Sequence, residues 1–181
     1  MSEGPNAAEK LAEQALSAYQ GGDYERAVRN FSEAHEAFKV DGNPKRAAEM
    51  SNNLCVCLLQ LGRAAEALTS VQNTPTIFHN EGDFLLKAQA LGNRAMAKEA
   101  LGHRAEAEAD YRAAADLFRE LGHNEGLQYT MQALSKLQLK EGRTMEALNA
   151  MQSVLDSKEK SSLRDRFLSW LFKFPLRFLG R

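Results

Sequence analysis

The side chains in this 181-residue sequence best suited to making or breaking bonds are two cysteines and four histidines, and their spacing argues against that use. Cys55 and Cys57 stand two apart. On a helix, residues two apart face nearly opposite sides, so the pair can neither bridge nor supply half of a zinc site. Both read as packing residues of a reducing compartment. His35, His79, His103 and His123 fall near helix ends or turns in non-equivalent places, with no His-x-x-x-His spacing among them, and are expected to cap helices or face solvent. The sequence has no Gly-Lys-Ser or Gly-Lys-Thr to cradle phosphate and no Gly-x-Ser-x-Gly nucleophile elbow. The expectation is a chain with no catalytic residue, no metal and no cofactor, hence not an enzyme.

The glycines are spaced for structure. Gly22, Gly42, Gly62, Gly82, Gly102, Gly122 and Gly142 recur every 20 residues, seven of the 12 present. The segments between them are rich in Ala, Leu, Glu, Lys, Gln and Arg, with apolar residues at helical spacing. Each rung therefore predicts a helix stop. Pro44 and Asp83 suit the helix starts that follow. The helices are expected at about 6–20, 23–40, 44–61, 63–79, 83–101, 103–121, 124–141 and 143–157. Odd and even helices differ, so the unit is a helix pair of about 40 residues. Small residues recur at Ala27, Ala67, Ala107 and Ala147 and at Ala15, Cys55, Ala95 and Ser135, and larger ones at Phe31, Val71, Tyr111 and Met151. Small residues where helices cross closely, with bulky ones a turn later, are what pairwise stacking needs.

A small residue in a first helix, Gly at the turn, Ala early in the second helix and an aromatic residue four later resemble the tetratricopeptide repeat. Ala90-Leu91-Gly92-Asn93-Arg94-Ala95 through Ala105-Glu106-Ala107 is especially similar to the longer variety, near 40 residues, of Pins-type adaptors and kinesin light chains; the usual length is about 34. An armadillo or HEAT-like array has a similar period but fits the Gly and Ala positions less well. The resemblance implies an all-α, right-handed α-solenoid of four helix-turn-helix repeats, to which the tail residues add a C-terminal amphipathic helix. The expected division is a lead at 1–6, repeats at about 7–42, 43–82, 83–122 and 123–157, and a tail at 158–181. Two departures stand out. Pro75, late in the second helix of repeat 2, should kink or shorten it. Lys158 replaces the Phe38, Phe78 and Phe118 that close the first three repeats.

The resemblance also implies a groove lined by first helices that receives a peptide or helix of a partner protein. By phase it would carry Glu9, Glu13, Leu16 and Tyr19, then Asn52, Asn53, Val56 and Leu59, then Asn93, Met96 and Glu99, then Gln132, Lys136 and Lys140. In the adaptors it resembles, asparagines at the places of Asn53 and Asn93 hydrogen-bond a bound peptide backbone; the alternative is a solvated side chain. The Lys and Asn of the clamp that grips a chaperone's carboxyl terminus are replaced by Ala12 and Leu16, which argues against that ligand. Arg94 and Lys98 fall where repeat 2 has Leu54 and Leu58. They are expected to snorkel, to pair with a neighbouring carboxylate or to form a cationic pocket.

The net charge of -1 gives no global attraction for nucleic acid, and none is expected as a partner. With 44% hydrophobic and 26% charged residues the composition is that of a folded globule. Met1 to Asn6 lack the basic and then apolar run of a secretory signal, and no apolar stretch reaches the roughly 18 to 20 residues of a bilayer span. A cytoplasmic location is expected. Residues 156–181 hold seven basic and three acidic residues and five of the aromatics. A helix over 162–173 is expected there, with Phe167, Trp170, Leu171 and Phe174 on its apolar side and Lys173 and Arg177 on its polar side. Three docks suit it: the last repeat as a cap in cis, a membrane interface, which would make the chain a peripheral membrane adaptor, or another protein.

Overall fold

The structure, a computed structural model, describes residues 7–152. Its helices are α1 (Ala7–Gln20), α2 (Tyr24–Val40), α3 (Pro44–Gln60), α4 (Ala64–Val71), α5 (Thr74–Asn80), α6 (Phe84–Ala100), α7 (Arg104–Glu120) and α8 (Asn124–Lys140), followed by a helical run over 144–152. No strand occurs among the described residues. The expected tail helix, with Phe167, Trp170, Leu171, Lys173, Phe174 and Arg177, lies outside them.

The turns explain the glycine ladder. After α2, the Gly42 N–H donates to Lys39 O and the Asn43 N–H to Phe38 O, the pair of bonds that satisfies the last carbonyls of a helix when the residue between is left-handed. Gly42 supplies that residue at φ 69°, and the other six rungs are also positive. The Asn43 side chain then accepts from the Arg46 N–H, so one residue closes α2 and caps α3. Asp23 and Asp83 do the same for α2 and α6.

Successive helices pack against each other, except α4 and α5, and the first helices α3, α6 and α8 also touch across layers. This is the expected right-handed α-solenoid, layered as α1/α2, α3/α4–α5, α6/α7 and α8/144–152. Ala27, Ala67, Ala107 and Ala147 are all buried at the crossings, and Phe31, Val71 and Tyr111 are buried a turn later. At roughly 1.5 to 3 kcal/mol per fully buried large apolar side chain, these repeated contacts are the main force holding layer on layer. A charged staple adds to them at the last turn. Arg143 reaches back to Glu108 of α7 at 2.6 Å, and that bond, outweighing partial burial, holds the Glu108 carboxyl down at about 2.

Repeat 2 departs from the continuous helix expected over 63–79 and shows the shortening that was one of the two outcomes expected of Pro75. The helix stops at Val71 and restarts at Thr74, with Pro75 in the first turn of α5, where a proline ring clashes with nothing and its missing N–H is not needed. The Thr74 hydroxyl donates to Val71 O and, at 3.4 Å, to the Asn52 amide oxygen. The displaced α5 packs on both α3 and α6.

Candidate functional site

Because α3, α6 and α8 begin and end forty residues apart, equivalent positions on them line up in rows across the layers. On this shared face lies a cavity of about 420 Å³. Its walls are Leu59 of α3, Met96, Glu99 and Ala100 of α6, and Tyr129, Gln132, Ala133, Lys136 and Lys140 of α8, with Tyr111 of α7 beneath. Tyr129 stands 61% exposed at its edge, its hydroxyl donating to Met96 Sδ at 3.8 Å.

The cavity has one balanced charge and one open one. Glu99 accepts from the Tyr111 hydroxyl at 3.1 Å and from Lys140 Nζ at 2.7 Å. Burial, and then the negative Glu99 beside it, push the Tyr111 phenol above its ordinary range, so it is a fixed donor. Lys136 projects from α8 exposed, with no carboxylate partner among the described residues. The surface thus offers an apolar strip of Leu59, Met96 and Ala133, an aromatic ring and a free ammonium. No group of His, Cys, Asp or Glu among the described residues could hold a metal ion, and no described helix is long and apolar enough to cross a membrane.

Of the residues expected in the groove, the structure brings together Met96, Lys136 and Lys140 with Leu59, Glu99 and Gln132. The others lie off this cavity. Leu16 is exposed on α1, and Tyr19 is half-buried against the Tyr24 ring at 5.8 Å. Asn53 is exposed, while Asn93 and Val56 are half-buried. Asn52 is interior, 6% exposed and bonded to Thr74, because the broken second helix brings α5 against that side of α3.

Arg94 and Lys98 pair with a carboxylate, one of the outcomes expected of them. The Arg94 guanidinium grips Asp110 with two bonds of 2.8 and 2.7 Å and donates a third to Gln72 O. Lys98 Nζ sits 2.8 Å from the same carboxylate. Burial alone would raise the Asp110 carboxyl, but the two cations hold it below its ordinary value. Sequence reasoning missed Asp110, yet its signal was present: the equivalent positions hold Asn30, Ser70 and Ala150, so the acid appears only in the layer with interior cations. Sequence reasoning also passed over Tyr129 and Tyr111 as cavity residues. A second cleft, of about 740 Å³, opens where the helix break parts α2 from α4 and α5, with Val28, Leu54, Leu58 and Ile77 among its apolar walls and His35 bonded to Ser51.

The family described as SNAP, soluble NSF attachment protein, matches residues 1–141. A comparison with curated proteins gave no match. Among solved structures, BtubC (BKLC) from P. vanneervenii is similar with a TM-score of 0.77 at 14% identity, over 86% of this chain and 64% of that one. The Rap protein complexed with Competence and Sporulation Factor gives 0.75 at 20% identity, over 87% and 44%. A kinesin light chain candidate of Podosopora anserina with nearly identical TPR-like repeats gives 0.73 at 15% identity, over 88% and 78%. The chain therefore spans less than two thirds of BtubC and less than half of Rap. At these identities the likeness is one of fold, and the fold is of tetratricopeptide type.

Proposed function

The chain belongs to the soluble NSF attachment protein (SNAP) family, and on that basis we propose that it is a non-enzymatic adaptor that seats a segment of a partner protein on its first-helix face. The observation that carries this reading is the cavity shared by α3, α6 and α8, with the Tyr129 ring and the Lys136 ammonium exposed at its rim. An exposed aromatic beside an apolar strip and a free cation is the composition of an interface anchor. The ligand that fits is an extended or helical segment with an apolar side chain for the Leu59, Met96 and Ala133 strip and an acceptor for Lys136. Asn53 and Asn93, on α3 and α6, two layers and one layer before α8, would bond its backbone further along. Two things support an attachment role: the family's name denotes attachment to another protein, and Rap, of the same fold, is held in complex with a factor.

The mechanism is pre-organisation. Lys140 and Tyr111 fix Glu99, and the stacked helices hold the row of side chains in place, so little ordering is left to be done when the ligand arrives. Peptides selected from a random display library on the full chain provide the probe. Tyr129→Ala is expected to weaken the selected peptides at least about tenfold, as truncation of an aromatic anchor does, and Asn53→Ala with Asn93→Ala to weaken them less, both with helicity unchanged. Peptides that bind both variants as tightly as the parent would reject the assignment.

A further inference from the structure

The last described layer has one side chain out of keeping with its position. Phe31, Val71, Tyr111 and Met151 are equivalent, each forty residues from the next. The first three are 2%, 0% and 2% exposed, whereas Met151 is 46% exposed. What covers the first three is the first helix of the following layer: Ala47 and Met50 of α3 cluster with Phe31, Ala97 of α6 with Val71, and Leu127 and Met131 of α8 with Tyr111. The described layer that ends in Met151 has no such successor.

We propose that residues 164–174 of this same chain are that cover, forming the first helix of a fifth layer that packs on Met151 in cis. The register carries the inference. The first helices α3, α6 and α8 start at 44, 84 and 124, and the next start in that series is Arg164. The positions that are buried in all three helices at Met50, Ala90 and Thr130, and at Ser51, Leu91 and Met131, become Trp170 and Leu171. Those of Leu127 and Leu134 become Phe167 and Phe174. The positions that face outward, such as Leu85 and Glu125, Gln89 and Tyr129, or Asn53, become Asp165, Ser169 and Lys173. Apolar residues thus fall on the inward phase and polar residues on the outward phase of a helix placed by the ladder alone, which is the pattern of a packed helix rather than of a linker. Pro175, at the place of the small residues Cys55, Ala95 and Ser135, stops that helix a turn and a half early. Stacked arrays require an element of this kind, because each layer buries its apolar side only against the next.

Trp170, the only tryptophan in the chain, reports on this directly. In the full-length protein, in lipid-free buffer and at dilutions where it is monomeric, its fluorescence is expected to be blue-shifted and shielded from acrylamide. Met151→Arg on the stack, or Leu171→Arg on the cover, should each red-shift it and raise its quenching severalfold while far-ultraviolet circular dichroism stays that of the stacked helices. The proposal is overturned if Trp170 is solvent-exposed in the monomer. It is equally overturned if shielding appears only with anionic vesicles, only at concentrations where a second copy binds, or survives both substitutions.

Discussion

Asp110 is the buried acid that two interior cations share, with the exposed Glu106 a second, longer contact 3.5 Å from Lys98 Nζ. Its carboxylate accepts both bonds of the Arg94 fork and lies 2.8 Å from Lys98 Nζ, while all three side chains are largely withdrawn from water. Removing one member of such a group leaves the remainder desolvated and unmatched, which is far more damaging than never having had the charges. Asp110→Asn should lower unfolding stability by about 3 kcal/mol in urea titration. Replacing Arg94, Lys98 and Asp110 together by leucine should recover most of that loss, since Leu54 and Leu134 already serve at the place of Arg94. A loss of under about 1 kcal/mol for Asp110→Asn would mean that water, not Asp110, balances the cations. At this scale the sequence was half legible. The two misplaced cations could be read from phase, but their partner sits sixteen residues away on another helix, and only packing decides which of the nearby acids turns inward. The packing role of the cysteines was legible: burial holds both side chains out of solvent and pushes Cys55 up to about 12 and Cys57 to about 11, so neither thiol is poised to react.

Between elements, the turns do the work of spacing. At Gly62, φ is 71°, and a Cβ added there would meet nothing within 4 Å. The penalty for Gly62→Ala is therefore that of the left-handed backbone alone, about 1 kcal/mol, and chemical denaturation should report a loss of that size with the helices intact. No loss would show that the rung is not what ends α3. Gly126 is the opposite case: it lies inside α8, off the ladder, and a Cβ would press to 2.6 Å on the Phe118 ring, so its absence of a side chain is a packing requirement. The ladder was readable because every rung meets the same backbone demand. The break in repeat 2 was readable only as a disturbance. Pro75 marks where a helix cannot continue, but whether the chain bends or restarts depends on what α3 and α6 offer the displaced segment, which here is the Asn52 and Thr74 contact and the packing of α5 on both helices.

For the whole molecule, the layers convert a forty-residue repeat into a row of equivalent positions, and the cavity arises where that row is interrupted by residues of unlike size. Gln132 and Lys136 alternate on α8 with the smaller Ala133, and Tyr129 leans over Met96. The phase of the first helices set Met96, Lys136 and Lys140 on one face, and the structure brings them to one cavity, because phase depends only on the repeat. It did not foresee the burial of Asn52, which an irregular neighbour covers, nor Tyr111, a residue of a second helix that reaches the cavity from below. Hydrogen exchange of the full chain, with and without a library-selected peptide at saturation, is the most direct test that the first-helix face is the binding surface. The account predicts slowed exchange concentrated in α6 and α8 around Met96 and Tyr129 to Lys140, with α2 and α4 unchanged. Protection centred instead on the cleft between α2, α4 and α5 would contradict it.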